Sequence, residues 1–261
     1  MLGRAPAALV IPAVAAVALL VVPVAAVFVR APWSTLPEQL SKSGASTALR
    51  LSLETTLITT AVCLLVGVPM SWCLARVDFP GRRLVRALVA LPLVLPPVVG
   101  GVALLLAFGR NGVFGRALDN AFGITLPFTT AGVVVAQTFV ALPFLVIGVE
   151  GAFRSSDSRY DDAAASLGAT RWYMFRRVTV PLALPGIVSG AVLCWARALG
   201  EFGATITFAG NFPGTTQTMP IEIYNEFQTD PDSAIALSLV LIVVSVLILV
   251  LLRERWLSGV S

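Results

Sequence analysis

Six long apolar runs constrain what this 261-residue chain can fold into. A helix that crosses the hydrocarbon core of a bilayer needs about 20 mostly apolar residues, and each run is at least that long. Across the chain 57% of the residues are hydrophobic and only 12% are charged, a composition far from that of a water-soluble domain. We therefore predict an all-α integral membrane protein with six transmembrane helices. The runs cover residues 7–29, 51–75, 84–108, 131–153, 186–208 and 233–252.

The first run could also be a secretory signal, because Arg4 precedes it and small residues end it. The apolar core of such a signal spans only about 7–15 residues, and this run is longer. We therefore favour a transmembrane helix that is retained in the protein.

Proline and polar residues divide the rest of the chain. Pro92, Pro96 and Pro97 lie inside the third run, where they predict a broken helix that packs within a bundle. The segments between runs are polar or rich in glycine, and we predict loops there. Apart from the 154–185 segment between the fourth and fifth runs, the longest of these loops cover residues 31–50, 109–130 and 209–232.

The positions of the basic residues predict the orientation in the membrane. If the N-terminus is cytoplasmic, the inner segments carry 12 arginines, and the outer loops carry 5 basic residues. Lysine and arginine accumulate in cytoplasmic segments of membrane proteins. We therefore predict a multi-pass protein of the cell membrane with both termini in the cytoplasm.

Several functions are excluded by residues that the sequence lacks. It contains no histidine, and its one lysine, Lys42, follows Ser41, so neither a His-based metal or catalytic site nor a Walker A loop can form. The basic residues form no continuous strip, which argues against a function in nucleic-acid binding. Cys63, Cys73 and Cys194 lie inside apolar runs without CxxC spacing, as expected of buried, inert thiols. We expect a transport subunit without metal, cofactor or enzyme activity. Two alternatives are a membrane enzyme and a membrane scaffold or receptor. The sequence shows no catalytic motif to support the first and no sizeable extramembrane domain to support the second.

The chain between the fourth and fifth runs is polar and has recognisable helix signals. Ser158 and Asp161 have the spacing of a capping box, and Gly168 is suited to a left-handed helix end. Thr170 can cap a second short helix, and we expect Pro181 to end it. The pattern predicts two short helices at an angle beside the membrane.

This polar segment resembles the EAA loop of ABC importer permeases. The match comprises Asp-Ala-Ala at 162–164, Leu-Gly-Ala at 167–169 and Val-Thr-Val-Pro at 178–181. Aspartate replaces the family's glutamate, and valine replaces its isoleucine and leucine. The resemblance implies a coupling loop at residues 154–185 that docks onto an ATPase subunit; the alternative is an ordinary cytoplasmic helix-turn-helix. The residues that the resemblance assigns to coupling are Asp162, Ala163, Ala164, Leu167, Gly168, Ala169 and Pro181.

The fifth run contains a charged pair. Arg197 lies eleven residues beyond Gly186, about 16 Å along a helix, and Glu201 follows four residues later on the same face. Charges at that depth usually face a bundle interior or a water-filled path. The pair could simply neutralise itself and fix helix packing, or it could line a translocation path, and the sequence leaves both open.

Neutral polar residues continue beyond the pair. Thr205, Thr207, Asn211 and Gln217 offer hydroxyls and amides for weak contacts with an anion, although an ordinary external loop has the same composition. Two further acidic residues, Glu54 and Glu150, are either interfacial or paired with Arg197.

The stretch from 197 to 224 resembles the molybdate branch of these permeases. It reads Arg-Ala-Leu-Gly-Glu-Phe-Gly-Ala-Thr, then Ala-Gly-Asn-x-Pro-Gly-x-Thr-Gln-Thr, then Pro and Ile-Tyr. The resemblance implies a type I ABC importer permease that moves molybdate or tungstate; a sulfate or thiosulfate permease is the alternative. It implies a homodimer in the lipid bilayer, two ATPase subunits and an external oxyanion-binding protein. The implied division is an N-terminal helix with an external loop (1–48), the permease domain (49–252) and a cytoplasmic tail (253–261).

Overall fold

The structure, a computed structural model, describes residues 7–42, 44–156 and 159–257, and within them every regular element is helical. The proposed cap Ser158 and the end of the 253–261 tail lie outside the described residues. In chain order the helices are α1 (Ala7–Arg30), α2 (Leu36–Lys42), α3 (Ala45–Arg76), α4 (Arg82–Val94), α5 (Pro97–Phe108), α6 (Gly115–Phe122), α7 (Thr130–Ser155), α8 (Arg159–Ser166), α9 (Arg171–Met174), α10 (Val180–Leu199), α11 (Gly203–Phe208), α12 (Met219–Thr229) and α13 (Pro231–Leu257).

Five helical segments are long and apolar enough to cross a membrane. They are Ala8–Arg30 of α1, the whole of α3, the whole of α7, the continuous segment Arg171–Leu199, and Pro231–Ile248 of α13. The sixth candidate is the pair α4 and α5, which are bent by 119° at Leu95 and Pro96, in the part of the third run where its three prolines predict a broken helix. The all-helical fold is confirmed, and six spans result when the bent pair counts as one.

Three segments predicted as loops contain helices instead. Helix α2 lies within 31–50, α6 within 109–130 and α12 within 209–232. Moreover, α3 begins at Ala45 rather than near residue 51. These elements are short or begin in polar sequence, so a search for long apolar runs does not detect them.

The fifth span also differs from the prediction. Pro181 does not end a helix: it lies in the first turn of α10, and the helical segment Arg171–Leu199 runs through it without a break. The turn before it, Phe175–Thr179, is a π-helix that joins α9 to α10. At its other end α10 stops at Leu199, and α11 begins only at Gly203. The predicted span 186–208 is therefore a longer helix followed by a separate short one.

The main core lies where α3, α7 and α10 pack together. Small residues allow close approach: a Cβ at Gly67 would come within 2.6 Å of Leu145, and one at Gly186 within 2.2 Å of Ala152. Cys63 and Cys194 are both fully buried in this core, in agreement with the expectation for those two thiols, whereas Cys73 is half-buried. Close packing through small residues is typical of helices within membranes.

The two ends of the bundle are held by different interactions. At one end the Met219 N–H donates to Ser52 Oγ at 2.7 Å, and Ser233 Oγ donates to Gln39 Oε1 at 2.8 Å. At the other end Arg76 Nη2 donates to the backbone oxygen of Ser156 at 3.0 Å. The segments 31–50 and 209–232 therefore share one end, and the 154–185 segment lies at the opposite, arginine-rich end.

Candidate functional site: an exposed two-helix loop and a broken helix

Helix α8 ends in a Schellman motif at the predicted glycine. Gly168 has φ +81°, a conformation that other residues adopt only at a cost. The Ala169 N–H donates to the oxygen of Ala164 at 3.0 Å, and the Gly168 N–H donates to that of Ala165 at 2.9 Å. This is the bonding pattern of a left-handed helix end, which confirms the conformation predicted for Gly168.

The next turn is capped and attached to the core by aromatic rings. Thr170 Oγ1 accepts from the Tyr173 N–H at 3.3 Å, as predicted for an N-cap. The Trp172 ring stacks on Phe175 with centroids 5.7 Å apart, and Phe175 contacts Trp72 of α3 edge-on, also at 5.7 Å. Because the loop is continuous with α10 and contacts α3, a displacement of the loop would act directly on both helices.

The surface of the loop exposes apolar and small residues. Leu167 is 89% exposed, and Gly168 and Pro181 are exposed as well. Ala163 is exposed, Ala164 and Ala169 are half-buried, and the side chain of Asp162 is not described. The nearby rings of Tyr160, Trp172 and Tyr173 are all more than half exposed. An apolar patch on a polar loop indicates an interaction surface, and its aromatic part was not assigned from the sequence.

Arg197 and Glu201 form an ion pair in the fifth span, as the interpretation of a self-neutralising pair requires. Arg197 Nη2 lies 2.6 Å from Glu201 Oε2. The other oxygen, Glu201 Oε1, accepts from the Ala204 N–H at 2.8 Å. The side chain of Glu201 is 1% exposed, whereas that of Arg197 is 26% exposed. The pair therefore spans the break between α10 and α11, with the carboxylate enclosed and the guanidinium partly open.

The depth of Arg197 follows from the packing of α10 on α7. These helices run antiparallel, and a Cβ at Gly148 would lie 3.4 Å from the Cα of Gly190. Arg197 is about 10 Å further along α10. That point corresponds roughly to residue 141, near the middle of α7 (Thr130–Ser155). Arg197 therefore lies at about half the height of the bundle, as the sequence predicted.

Two broken spans meet beside this pair. A Cβ at Gly203, the first residue of α11, would lie 2.8 Å from the Cβ of Pro97, the first residue of α5. A Cβ at Gly101 would lie 2.7 Å from the Cβ of Thr207 and 2.9 Å from the oxygen of Ala204. The two half-helices are thus in backbone contact.

The other proposed path residues differ in their burial and in their hydrogen bonds. Thr205 is fully buried, and its hydroxyl has no hydrogen-bond partner among the described residues. Thr207 Oγ1 donates to the oxygen of Gly203 at 2.7 Å. Asn211 exchanges amide hydrogen bonds with Asn225 at 3.1 and 3.2 Å, and Gln217 is half-buried.

The two remaining membrane-end glutamates pair elsewhere. Glu54 pairs with Arg50 at 2.6 Å. Glu150 Oε1 accepts from Arg86 at 2.7 Å and lies 3.1 Å from Arg154. The Arg86–Glu150 pair holds α4 against α7, and it was missed because its partners are far apart in sequence.

A helical bundle with two broken spans and an exposed two-helix loop at its arginine-rich end has the features of an importer's membrane component. The family described as "Binding-protein-dependent transport system inner membrane component" matches residues 64–259. The chain belongs to this family of ABC importer permeases, so it is a multi-pass membrane protein and a transport subunit rather than an enzyme.

Proteins with similar sequences carry a more specific name. The molybdenum transport system permease protein ModB of Mycobacterium tuberculosis is 51% identical over 226 residues, which cover 87% of this chain and 85% of that protein. The ModB protein of Escherichia coli is 42% identical over 214 residues, which cover 82% and 93%.

Solved structures of ABC importers share the fold. A bacterial transporter that imports the polysaccharide alginate matches with a TM-score of 0.73 and 20% identity, over 95% of this chain and 93% of that chain. The methionine transporter MetNI matches with a TM-score of 0.62 and 20% identity, over 81% and 94%. This agrees with the predicted type I importer architecture.

Proposed function

We propose that this chain is the pore subunit of an ATP-driven importer of molybdate and tungstate. The observation that carries the proposal is the 51% identity to a ModB permease over 87% of the chain. Identity of this level spans both the exposed loop and the broken fifth helix, the two parts on which transport would depend.

The proposed assembly contains two copies of this chain, two ATPase subunits and an external oxyanion-binding protein. The exposed surface of Leu167, Gly168 and the neighbouring rings suits docking of an ATPase, with Asp162, Ala163, Ala164, Ala169 and Pro181 in the same segment. One alginate transporter with this fold was solved in complex with a periplasmic protein, an arrangement that we propose for the opposite end of this bundle.

The proposed orientation places both termini and the coupling loop in the cytoplasm. Its support is the segregation of the arginines described above, since positive residues accumulate on the cytoplasmic side. In this orientation the neutral segment 209–220 faces the external binding protein.

The proposed translocation path passes Arg197 at half the height of the bundle. Thr205, Thr207, Asn211 and Gln217 remain candidates for weak contacts further outward, since a conducting site must release its ion. In this proposal Glu201 contributes through Arg197, because its carboxylate is enclosed.

Deletion of the gene followed by measurement of molybdenum-enzyme activity tests the substrate. We expect activity to fall at trace molybdate and to recover with excess molybdate. Loss of sulfate uptake with normal molybdate accumulation would instead establish a sulfate permease.

A further inference from the structure

The two members of the Arg197–Glu201 pair are not equivalent. Both oxygens of Glu201 are engaged, one by Arg197 Nη2 and the other by the Ala204 N–H, and the side chain is 1% exposed. An anion in the path therefore cannot meet this carboxylate directly. Arg197 has five N–H donors, its bond to Glu201 uses Nη2, and about a quarter of its side chain is open.

The open part of Arg197 requires a polar surrounding. An arginine at half the height of a membrane bundle is costly against lipid and usually faces a bundle interior or a water-filled cavity. A guanidinium is also suited to tetrahedral oxyanions, because its planar donors can bond two oxygens at once.

A lone guanidinium at this depth would hold a divalent anion too strongly for transport. Charges attract more strongly where water is scarce, and conduction requires a site weak enough to release its ion. Glu201 cancels the charge of Arg197 while fixing its orientation, and it is itself fixed by the first turn of α11.

We infer that Glu201 is a positioning and charge-compensating residue that lets Arg197 contact a tetrahedral divalent oxyanion without retaining it. This inference rests on the proposed function, and it assigns different roles to two residues that the sequence treats as one pair. Arg197 contacts the anion, and Glu201 sets how tightly it is held.

The test compares Glu201→Gln with Glu54→Gln in the complete transporter. Both substitutions neutralise the glutamate of an Arg–Glu pair with i,i+4 spacing, but the Arg50–Glu54 pair is 80% and 52% exposed. Glutamine keeps an oxygen that can accept the Ala204 N–H. The probes are tungstate and sulfate, measured as equilibrium binding to the detergent-solubilised complex without its binding protein, and as uptake into proteoliposomes with it.

We expect Glu201→Gln to bind the transported oxyanion at least about tenfold more tightly and to turn over more slowly, with Glu54→Gln unchanged. The double variant Arg197→Gln, Glu201→Gln should lose the added binding. Unchanged binding in a folded Glu201→Gln variant would overturn the inference, as would tight binding that persists in the double variant. If Glu201→Gln does not assemble, uptake is measured with the double variant, which carries neither charge. Normal uptake by the double variant would show that Arg197 is not needed to contact the oxyanion, and it would also overturn the inference.

The proposed substrate is tested separately from this inference. Wild-type proteoliposomes that take up sulfate and not tungstate would refute the molybdate assignment, and the comparison of Glu201→Gln with wild type would then be made with sulfate. A wild-type complex that imports tungstate while Glu201→Gln behaves identically would refute only the role of Glu201.

Discussion

Gly203 lies against Pro97, so closely that an added Cβ would approach the Cβ of Pro97 to 2.8 Å and the Val98 nitrogen to 3.3 Å. Gly203 begins α11 and Pro97 begins α5, each the second half of a broken span. The breaks therefore lie side by side, and the half-helices that follow them pack through glycine. We expect α5 and α11 to move as one unit during transport.

A methyl group in this contact should disable the transporter. In Gly101→Ala the new Cβ would lie 2.9 Å from the backbone oxygen of Ala204, which cannot rotate away as a side chain can. Overpacking of this kind typically costs about 1–3 kcal/mol. We expect a lower thermal unfolding temperature in detergent and strongly reduced uptake in proteoliposomes.

Gly151→Ala provides the matched control. Gly151 lies in α7 with nothing within 4 Å of an added Cβ, and alanine forms helices better than glycine. Stability should stay equal or rise slightly. Equal behaviour of the two variants would show that the α5–α11 contact tolerates expansion.

The break between α10 and α11 shows why hydropathy alone mispredicted the fifth span. Residues 186–208 are mostly apolar, and hydropathy reports the length of a run rather than the continuity of its helix. The helix is interrupted because Glu201 bonds the Ala204 N–H and because Gly203 contacts Pro97. The first cause is local, but the second depends on a partner 106 residues away in the chain.

Features with local causes were predictable. The left-handed end at Gly168, the cap at Thr170 and the i,i+4 pair of Arg197 and Glu201 all follow from residues within one or two turns. Helix α12 also has local signals that hydropathy ignores, since Pro220 and Glu222 lie in its first turn. By contrast, the pairing of Glu150 with Arg86 depends on how α4 folds back onto α7.

Leucine at position 168 should abolish transport while the protein stays folded. Gly168 has φ +81° with nothing within 4 Å of an added Cβ, so Gly168→Leu introduces backbone strain of about 1–2 kcal/mol and a large side chain on the exposed loop. We expect the protein to remain folded in the membrane, with uptake abolished.

Gly81→Leu is the control that separates the effect of backbone strain from the effect of a large side chain on the two-helix loop. Gly81 has φ +85° and equally free surroundings, but it lies between α3 and α4, outside the two-helix loop. It should lose similar stability and retain most uptake. Full uptake by Gly168→Leu, with normal ATPase binding, would contradict the coupling role.

The stability of the end of the bundle that carries the 209–232 segment should depend on pH through Glu222. Burial, and next the neighbouring Glu226 carboxylate, raise the pKa of Glu222 above its ordinary 4.5, whereas the Gly44 N–H opposes the shift. The folded state then binds the proton more strongly than the unfolded state. The stabilisation is present below the unfolded pKa and is lost as pH rises through the folded pKa.

Thermal unfolding in detergent at a series of pH values from about 4 upward measures this effect. Glu222→Gln should remove the decline, because glutamine does not titrate. Glu226→Gln should move the decline to lower pH, because it removes one of the two causes of the raised pKa. A wild-type decline that persists in Glu222→Gln would assign it to another group.

The orientation of the bundle can be determined by labelling single introduced cysteines in intact cells. Asp78 lies between α3 and α4 with a fully exposed side chain, at the arginine-rich end. Thr215 is exposed at the opposite end, where its backbone oxygen accepts from Thr130 Oγ1 at 3.0 Å. A membrane-impermeant maleimide should label Thr215→Cys in intact cells and Asp78→Cys only after permeabilisation.

The unsubstituted chain measures the background from its own cysteines, two of which are buried. The reverse pattern would place the coupling loop outside the cell, where no ATP-driven partner could act on it.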